Sequence, residues 1–236
     1  VTRKDFPLRL EDARNGDGYA QSWIGNAFDR GLAVKADPKQ ALKWHTAAAK
    51  NGEAYSQCWL GWAFERGEIV KKSAVKSFEW SMRAARQGLA AAEYNVGQSY
   101  AEGRGVPKSP RRAVAWWKKA AKQGEASAQC NLGKAYEDGF GVRKNLTRAK
   151  VQYRKAAKQG DIVARYNLAR LKLGPGPNVS VQNEFKAVVV ELRKMARKKD
   201  KAATLCLGDC AYFGWGIKIN KTEAARLYRL AGNALW

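Results

Sequence analysis

The stretch AEGRGVPKSPRRAVAWWKKAAKQG, residues 101–124, decides the fold. Its glycines could form a phosphate loop, its lysines and tryptophans a nucleic-acid or membrane surface, and its spacing one unit of a repeat. Comparison of the chain with itself selects the third. Gly16, Gly52, Gly88, Gly124 and Gly160 fall 36 residues apart, and so do Gly25, Gly61, Gly97 and Gly133, with Ala169 in the next place. Gly31, Gly67, Gly103 and Gly139 form a third series, and Trp44, Trp80 and Trp116 a fourth. Unrelated motifs would not share one period, so the chain is a tandem repeat.

Within a unit the pattern is helix, loop, helix, turn. From Glu125, EASAQCNLGKAYEDG places Ala128, Leu132, Ala135 and Tyr136 on one helical stripe. The loop FGVRKN follows. LTRAKVQYRKAAKQG then carries Ala149, Tyr153, Ala156 and Ala157 on a second stripe, and Gly160 sits where a glycine at positive φ ends a helix. Gly133 lies inside the first helix, where glycine costs up to about 1 kcal/mol relative to Ala. Its recurrence at Gly25, Gly61 and Gly97 predicts two helices too close for a side chain, and Ala169 is the next smallest residue.

These features predict an all-α fold: a right-handed superhelical solenoid of antiparallel helix pairs with a 36-residue repeat. The expected organisation is one solenoid over 1–236. It has a half unit at 1–16, four regular repeats over 17–160, a longer divergent repeat at 161–199 and a C-terminal repeat at 200–236. The extra length falls in the loop GPGPNVSVQN, with Pro175 and Pro177, expected to alter the local superhelix or project from one edge.

The unit resembles the Sel-1-like repeat, a relative of the tetratricopeptide family. The resemblance rests on Ala92, Val96, Gly97 and Tyr100, again on Ala128, Leu132, Gly133 and Tyr136, and on the G-x-G-V loops at Gly103–Val106 and Gly139–Val142. It continues in the second helices, QALKWHTAAAKNG from Gln40 and RAVAWWKKAAKQG from Arg112. Ala33 and Ile69 depart from it at the second loop glycine, and Gln152 at the tryptophan. What the resemblance implies is protein–protein scaffolding: adaptors, host-interaction proteins, and immunity proteins that neutralise effectors. It supplies no catalytic residues.

Trp44, Trp80 and Trp116 are expected in the core, on the stripe between paired helices. Trp23 and Trp59 precede the mid-helix glycine, and Trp62 follows it. With Lys134, Arg165 and Arg170 they are the candidate partner-binding groove, because first helices commonly line the concave face of a solenoid. GRGV at 103–106 lacks the lysine–hydroxyl ending of a nucleotide loop, and no strand precedes it. His45 has no companion for metal binding or acyl transfer and is expected toward solvent. Glu65, Glu137 and Asp138 are read as repeat positions. Cys58, Cys130, Cys206 and Cys210 are expected as buried free thiols. Neither a metal nor a cofactor is expected. Sequons occur at Asn145, Asn178 and Asn220, the first two in loops.

Forty-four Lys and Arg against 21 Asp and Glu give a net charge of +23. Such a charge attracts acidic proteins, nucleic acid or anionic lipid. Lys108, Arg111, Arg112, Lys118, Lys119 and Lys122 cluster in one unit. Lys155, Lys158, Arg193, Lys194, Arg197, Lys198, Lys199 and Lys201 continue the excess as a candidate basic edge. The expected function is a non-enzymatic protein-interaction scaffold, adaptor or inhibitor with an acidic protein partner. The alternative is a nucleic-acid-binding solenoid that uses the basic edge. Membrane contact would be peripheral and electrostatic, since no run approaches the 18 or so apolar residues that span a bilayer. The chain starts without Met, as after removal of a leader to the periplasm or exterior, or as a fragment. The closing Leu235 and Trp236 either seal the stack or mark a cut through a longer array.

Overall fold

The computed structural model describes residues 5–173 and 179–232, all helix and connecting loop, and divides into two compact units. The first, Val1–Glu125 with Phe140–Val142, holds α1 (Asp5–Arg14), α2 (Gly18–Arg30), α3 (Pro38–Lys50), α4 (Ala54–Arg66), α5 (Ala74–Arg86), α6 (Ala90–Glu102) and α7 (Pro110–Lys122). The second, Ala126–Gly139 with Arg143–Trp236, holds α8 (Ala126–Asp138), α9 (Leu146–Lys158), α10 (Ile162–Arg170), α11 (Val179–Arg197), α12 (Lys201–Phe213) and α13 (Lys221–Leu230). Both are built from the same helix pair, a solenoid architecture with a repeat of about 36 residues.

Local chemistry fixes where the helices begin and end. Asp37 accepts hydrogen bonds from the N–H groups of Lys39 and Gln40 and is followed by Pro38 at the first helical position of α3. Asn145 caps α9 through the N–H of Arg148, and Asn220 caps α13 through that of Glu223. These two sequon asparagines are therefore helix caps; Asn178 lies outside the described residues. Each first helix of the first unit closes on a left-handed glycine: Gly31, Gly67 or Gly103. The loops then fold alike, with Asp37, Ser73 and Ser109 donating their N–H to the carbonyls of Phe28, Phe64 and Tyr100.

The mid-helix glycines sit against the second helix of their own pair, as their recurrence predicts. A Cβ on Gly25 would stand 2.9 Å from the His45 ring, and one on Gly133 or Gly208 would stand 2.7 Å from the ring of Tyr153 or Tyr228. Gly61 meets Ser81 and Gly97 meets Trp117 in the same way. The facing position is thus one residue beyond the tryptophan series. Trp44, Trp80 and Trp116 are only partly buried, which corrects their assignment to the stripe between paired helices. They lie beside it, with Lys43, Arg83 and Lys119 over their rings at 5.6, 4.4 and 4.1 Å.

A polar bracket recurs at the turns of the first unit. Gln87 Nε2 donates to the Gly52 carbonyl at 2.7 Å and to Gln57 Oε1 at 2.9 Å. Gln123 does the same to Gly88 and Glu93, and Asn51 to Gly16 and Gln21. These side chains tie the end of one second helix to the turn before it and satisfy buried polar groups that would otherwise cost stability.

The second unit departs from the regular pattern. The loop expected over 174–183 is already helix from Val179, because Val181, Phe185, Val188, Val189 and Leu192 form one buried helical stripe. Pro175 and Pro177 lie outside the described residues. Ala33 keeps the left-handed backbone of its loop at φ 67°, whereas Ile69 packs against the cluster of Ala41, Trp59 and Leu60.

Gly133→Ala is expected to lower stability by about 2 kcal/mol, since the added methyl forces Tyr153 or the helix pair to move. A urea unfolding curve measures it, and an unchanged midpoint would show that the close approach is dispensable.

Candidate functional site

The groove residues expected from the sequence fall into two sets. In the first unit, Trp59 and Trp62 of α4 share a surface depression of about 400 Å³ with Tyr55, Leu89 and Asn95. Trp59 is its floor, 7% exposed, and Trp62 and Tyr55 stand at its rim, 39% and 41% exposed. Helical spacing explains the grouping, because Tyr55, Trp59 and Trp62 recur at i, i+4 and i+7 on one face. The Arg66 guanidinium lies 5.0 Å over the Trp62 ring and pairs with Glu68. Trp23 is not part of this depression; it packs beside Phe6 and Trp44 on the cluster of Ala13, Ala20 and Ile24.

His45 supports the floor from behind. It is fully buried, which corrects its expected solvent position, because it occupies the place opposite Gly25. Its ring stacks on Trp59 at 4.3 Å, and its Nδ1 is 2.9 Å from Ser56 Oγ, which in turn donates to Ser22 Oγ. The buried Nε2 has no partner in the protein, and burial pushes the imidazole pKa down to about 4. It is therefore neutral at physiological pH and serves as packing.

The remaining candidates lie in the second unit. Arg170 is paired with Glu137, a buried carboxylate that also accepts a 2.8 Å hydrogen bond from the Tyr153 hydroxyl. Burial opposes ionisation of Glu137, but the bonds from Arg170 and Tyr153 outweigh it and hold the carboxyl below its ordinary value. Glu137 is thus the centre of a buried network joining α8, α9 and α10, more than a repeat position. Its partner stands 33 residues away, outside the 36-residue period. A second such centre joins α10, α12 and α13, where Asp209 accepts from the hydroxyls of Tyr166 and Tyr228 at 2.7 and 2.8 Å. Lys134 pairs with Asp138, and Arg165 is exposed at a depression against α11.

The basic-edge residues are all on the surface: Lys118, Lys119 and Lys122 on α7, Lys155 and Lys158 on α9, and Arg193, Lys194, Arg197 and Lys198 at the end of α11. Lys119 covers Trp116, and Lys194 pairs with Glu191. Arg193 and Arg197 line a cleft of about 620 Å³ between α11 and α13. All four cysteines are free. Burial pushes the Cys58 thiol up to about 11, and it raises Cys130, Cys206 and Cys210 as well, so these thiols are poor nucleophiles. Among the described residues no group of three or more His, Cys, Asp or Glu could hold a metal, and no helix is long and apolar enough to cross a membrane.

Stacked helix pairs that present an aromatic depression and cationic surfaces define a helical repeat scaffold. The chain belongs to the Sel1 repeat family, whose profile matches residues 18–53, 54–89, 90–125, 126–161 and 203–234. A solved protective antigen of uropathogenic Escherichia coli strains, with an SLR fold, is 30% identical with a TM-score of 0.67. The match covers 96% of this chain and 48% of that one, so this chain spans about half of that relative's length. A Sel1 repeat protein from Oxalobacter formigenes is 29% identical with a TM-score of 0.70, over 92% of this chain and 85% of that chain. Comparison with curated proteins returns no significant match. Repeat proteins of this class generally serve as protein–protein interaction scaffolds.

Two measurements probe these networks. His45 has its folded pKa below its unfolded value, so the unfolded chain takes up a proton first as pH falls from 6.5 toward 4. Stability is expected to drop by about 2 kcal/mol between pH 7 and pH 5 from this group, and His45→Phe removes that slope in urea unfolding. Arg170→Ala leaves the Glu137 carboxylate buried without its cation and is expected to cost about 3 kcal/mol. Adding Glu137→Gln restores part of the loss, whereas a simple additive loss would show that the two groups are not coupled.

Proposed function

We propose that the chain is a non-catalytic interaction module that binds an acidic protein through the depression formed by Tyr55, Trp59 and Trp62. The observation that carries this reading is Trp62. It is a large aromatic side chain held at the rim of a concave apolar surface, with a second tryptophan fixed beneath it by His45. Aromatic anchors in concave pockets are where protein interfaces concentrate binding energy. The charge of +23 favours an acidic partner by steering its approach. Measuring the partner's own activity in the complex separates an adaptor, which leaves it intact, from an inhibitor or immunity protein, which blocks it. A periplasmic or secreted setting belongs to the same proposal, supported by the protective-antigen description of one relative.

The exposed lysines on α7, and separately those on α9, support a second reading, in which nucleic acid binds cationic surface. One capture experiment from native extract separates the two, with nuclease present and the salt wash raised from about 0.15 to about 0.5 M. The first reading expects a stoichiometric protein that survives both treatments and is lost with Trp62→Ala. It also expects that protein to be retained by the triple variant Lys118→Glu, Lys119→Glu, Lys122→Glu. Nuclease-sensitive material lost with the triple variant and kept by Trp62→Ala would establish the second.

A further inference from the structure

Among the described residues, the cleft between α11 and α13 lacks the indole that α3, α5 and α7 carry. In the first unit, the tryptophans of α3 and α5 pack toward the preceding helix of the same set. Trp80 of α5 lies on a cluster whose α3 members are Ala41 and Ala49, and Trp44 of α3 lies on one that includes Ala13 of α1. Counting from Tyr228, which faces Gly208 as His45 faces Gly25, the equivalent position on α13 is Leu227. On α11, Ala196 follows the buried Leu192 by four residues, as Ala49 follows His45. The small pair Ala196 and Leu227 therefore stands where an alanine and an indole stand elsewhere, and the space left is a cleft of about 620 Å³. Its floor is apolar, with Leu207 and Leu227 7% and 4% exposed.

The rim is cationic. Arg193 and Arg197 project from one face of α11, Lys199 lies in the following turn, Lys201 opens α12, and Arg226 comes from α13. The carboxylate at the rim, Glu223, accepts both bonds of a 2.7 Å fork from Arg226. Those hydrogen bonds hold its carboxyl below the ordinary value, with the charge of Arg193 across the cleft adding to them. Five cations thus surround one carboxylate over an apolar floor. Elsewhere the protein places a cation over the indole at this position, as Arg83 lies over Trp80 and Lys119 over Trp116.

We infer that this cleft is a binding site for an acidic peptide segment of a partner protein, which inserts an aromatic side chain over Leu227 and sets its flanking carboxylates on Arg193, Arg197 and Lys201. The inserted ring takes the place of the absent tryptophan, buries apolar surface against Ala196 and Leu227, and lies beneath the arginines. The carboxylates on either side meet guanidinium and ammonium groups that lack enough acidic partners of their own. The site is in the other unit from the Trp62 depression and does not depend on it.

The test uses the full chain and an acetylated, amidated pentapeptide of sequence EDWDE, with binding read by isothermal titration calorimetry. One peptide per chain is expected to bind, and replacing its tryptophan by alanine should weaken binding at least about tenfold. Leu227→Trp fills the cleft with the protein's own indole, gives α13 the residue that α3, α5 and α7 carry, and should weaken binding at least about tenfold. The surface variant Arg193→Glu, Arg197→Glu, whose fold is checked by circular dichroism, should do the same and reduce the salt dependence. Trp62→Ala should leave the peptide affinity unchanged, which separates this site from the depression on α4. Equal binding by Leu227→Trp, by the alanine peptide, or by a single-stranded thymidine oligonucleotide in competition would overturn the proposal in favour of undirected charge attraction.

Discussion

The contact on which the rest of the structure depends is a glycine in one helix lying against a side chain twenty residues later in the next. Gly25 and His45, Gly61 and Ser81, Gly97 and Trp117, and Gly133 and Tyr153 repeat it, and Gly208 and Tyr228 repeat it again. Glycine has no Cβ, so the paired helices come close enough for the facing side chain to lie directly on backbone. That contact compensates for the loss of helix propensity that each glycine brings. Because the glycine is the fixed partner, the facing residue can vary in size from serine to tryptophan while the pair keeps its geometry.

That asymmetry explains what was legible in the sequence. Four glycines in one series are visible by self-comparison, and they imply the helix pair and the close approach inside it. Their partners were harder to find, because His45, Ser81, Trp117, Tyr153 and Tyr228 share no side-chain chemistry. The neighbouring tryptophans repeat instead and point to a core one residue before the true facing position. The same error placed His45 toward solvent. In α11 the apolar stripe running back to Val181 could have shortened the expected loop, but the proline-rich GPGPN before it carried more weight than the helical spacing behind it. The amide brackets of Gln87 and Gln123 do stand one period apart; their role is visible only in the fold, since each reaches back 30 and 35 residues to donate its amide N–H groups to two oxygens.

The candidate surfaces are less legible for a related reason. A repeat period reports what every unit needs, and a binding site is where one unit differs. Trp59 and Trp62 could be paired from helical spacing alone, as both fall on one face of α4. Arg170 could not be told from a surface cation, because Glu137 stands at a separation unrelated to the period and is brought to it by the packing of α8 against α10.

The facing position also shapes the charge that a partner meets. Where it is tyrosine, the phenol must find an acceptor inside the pair: Tyr153 takes Glu137, and Tyr228 takes Asp209 together with Tyr166. Asp37, Asp161 and Asp200 are engaged at helix starts, and Glu93 accepts the amide of Gln123. Glu65, Glu102, Glu184 and Glu191 each hold a neighbouring Arg or Lys. Much of the acidic minority is therefore occupied in capping, in turn brackets and in local pairs. Apart from Arg170 on Glu137, the cations named above hold surface partners, since helix starts and tyrosines ask for acceptors and an ammonium group can only donate. The imbalance of 44 to 21 is consequently sharper at the surface than in the composition, and it follows from the same helix pairing that makes the fold.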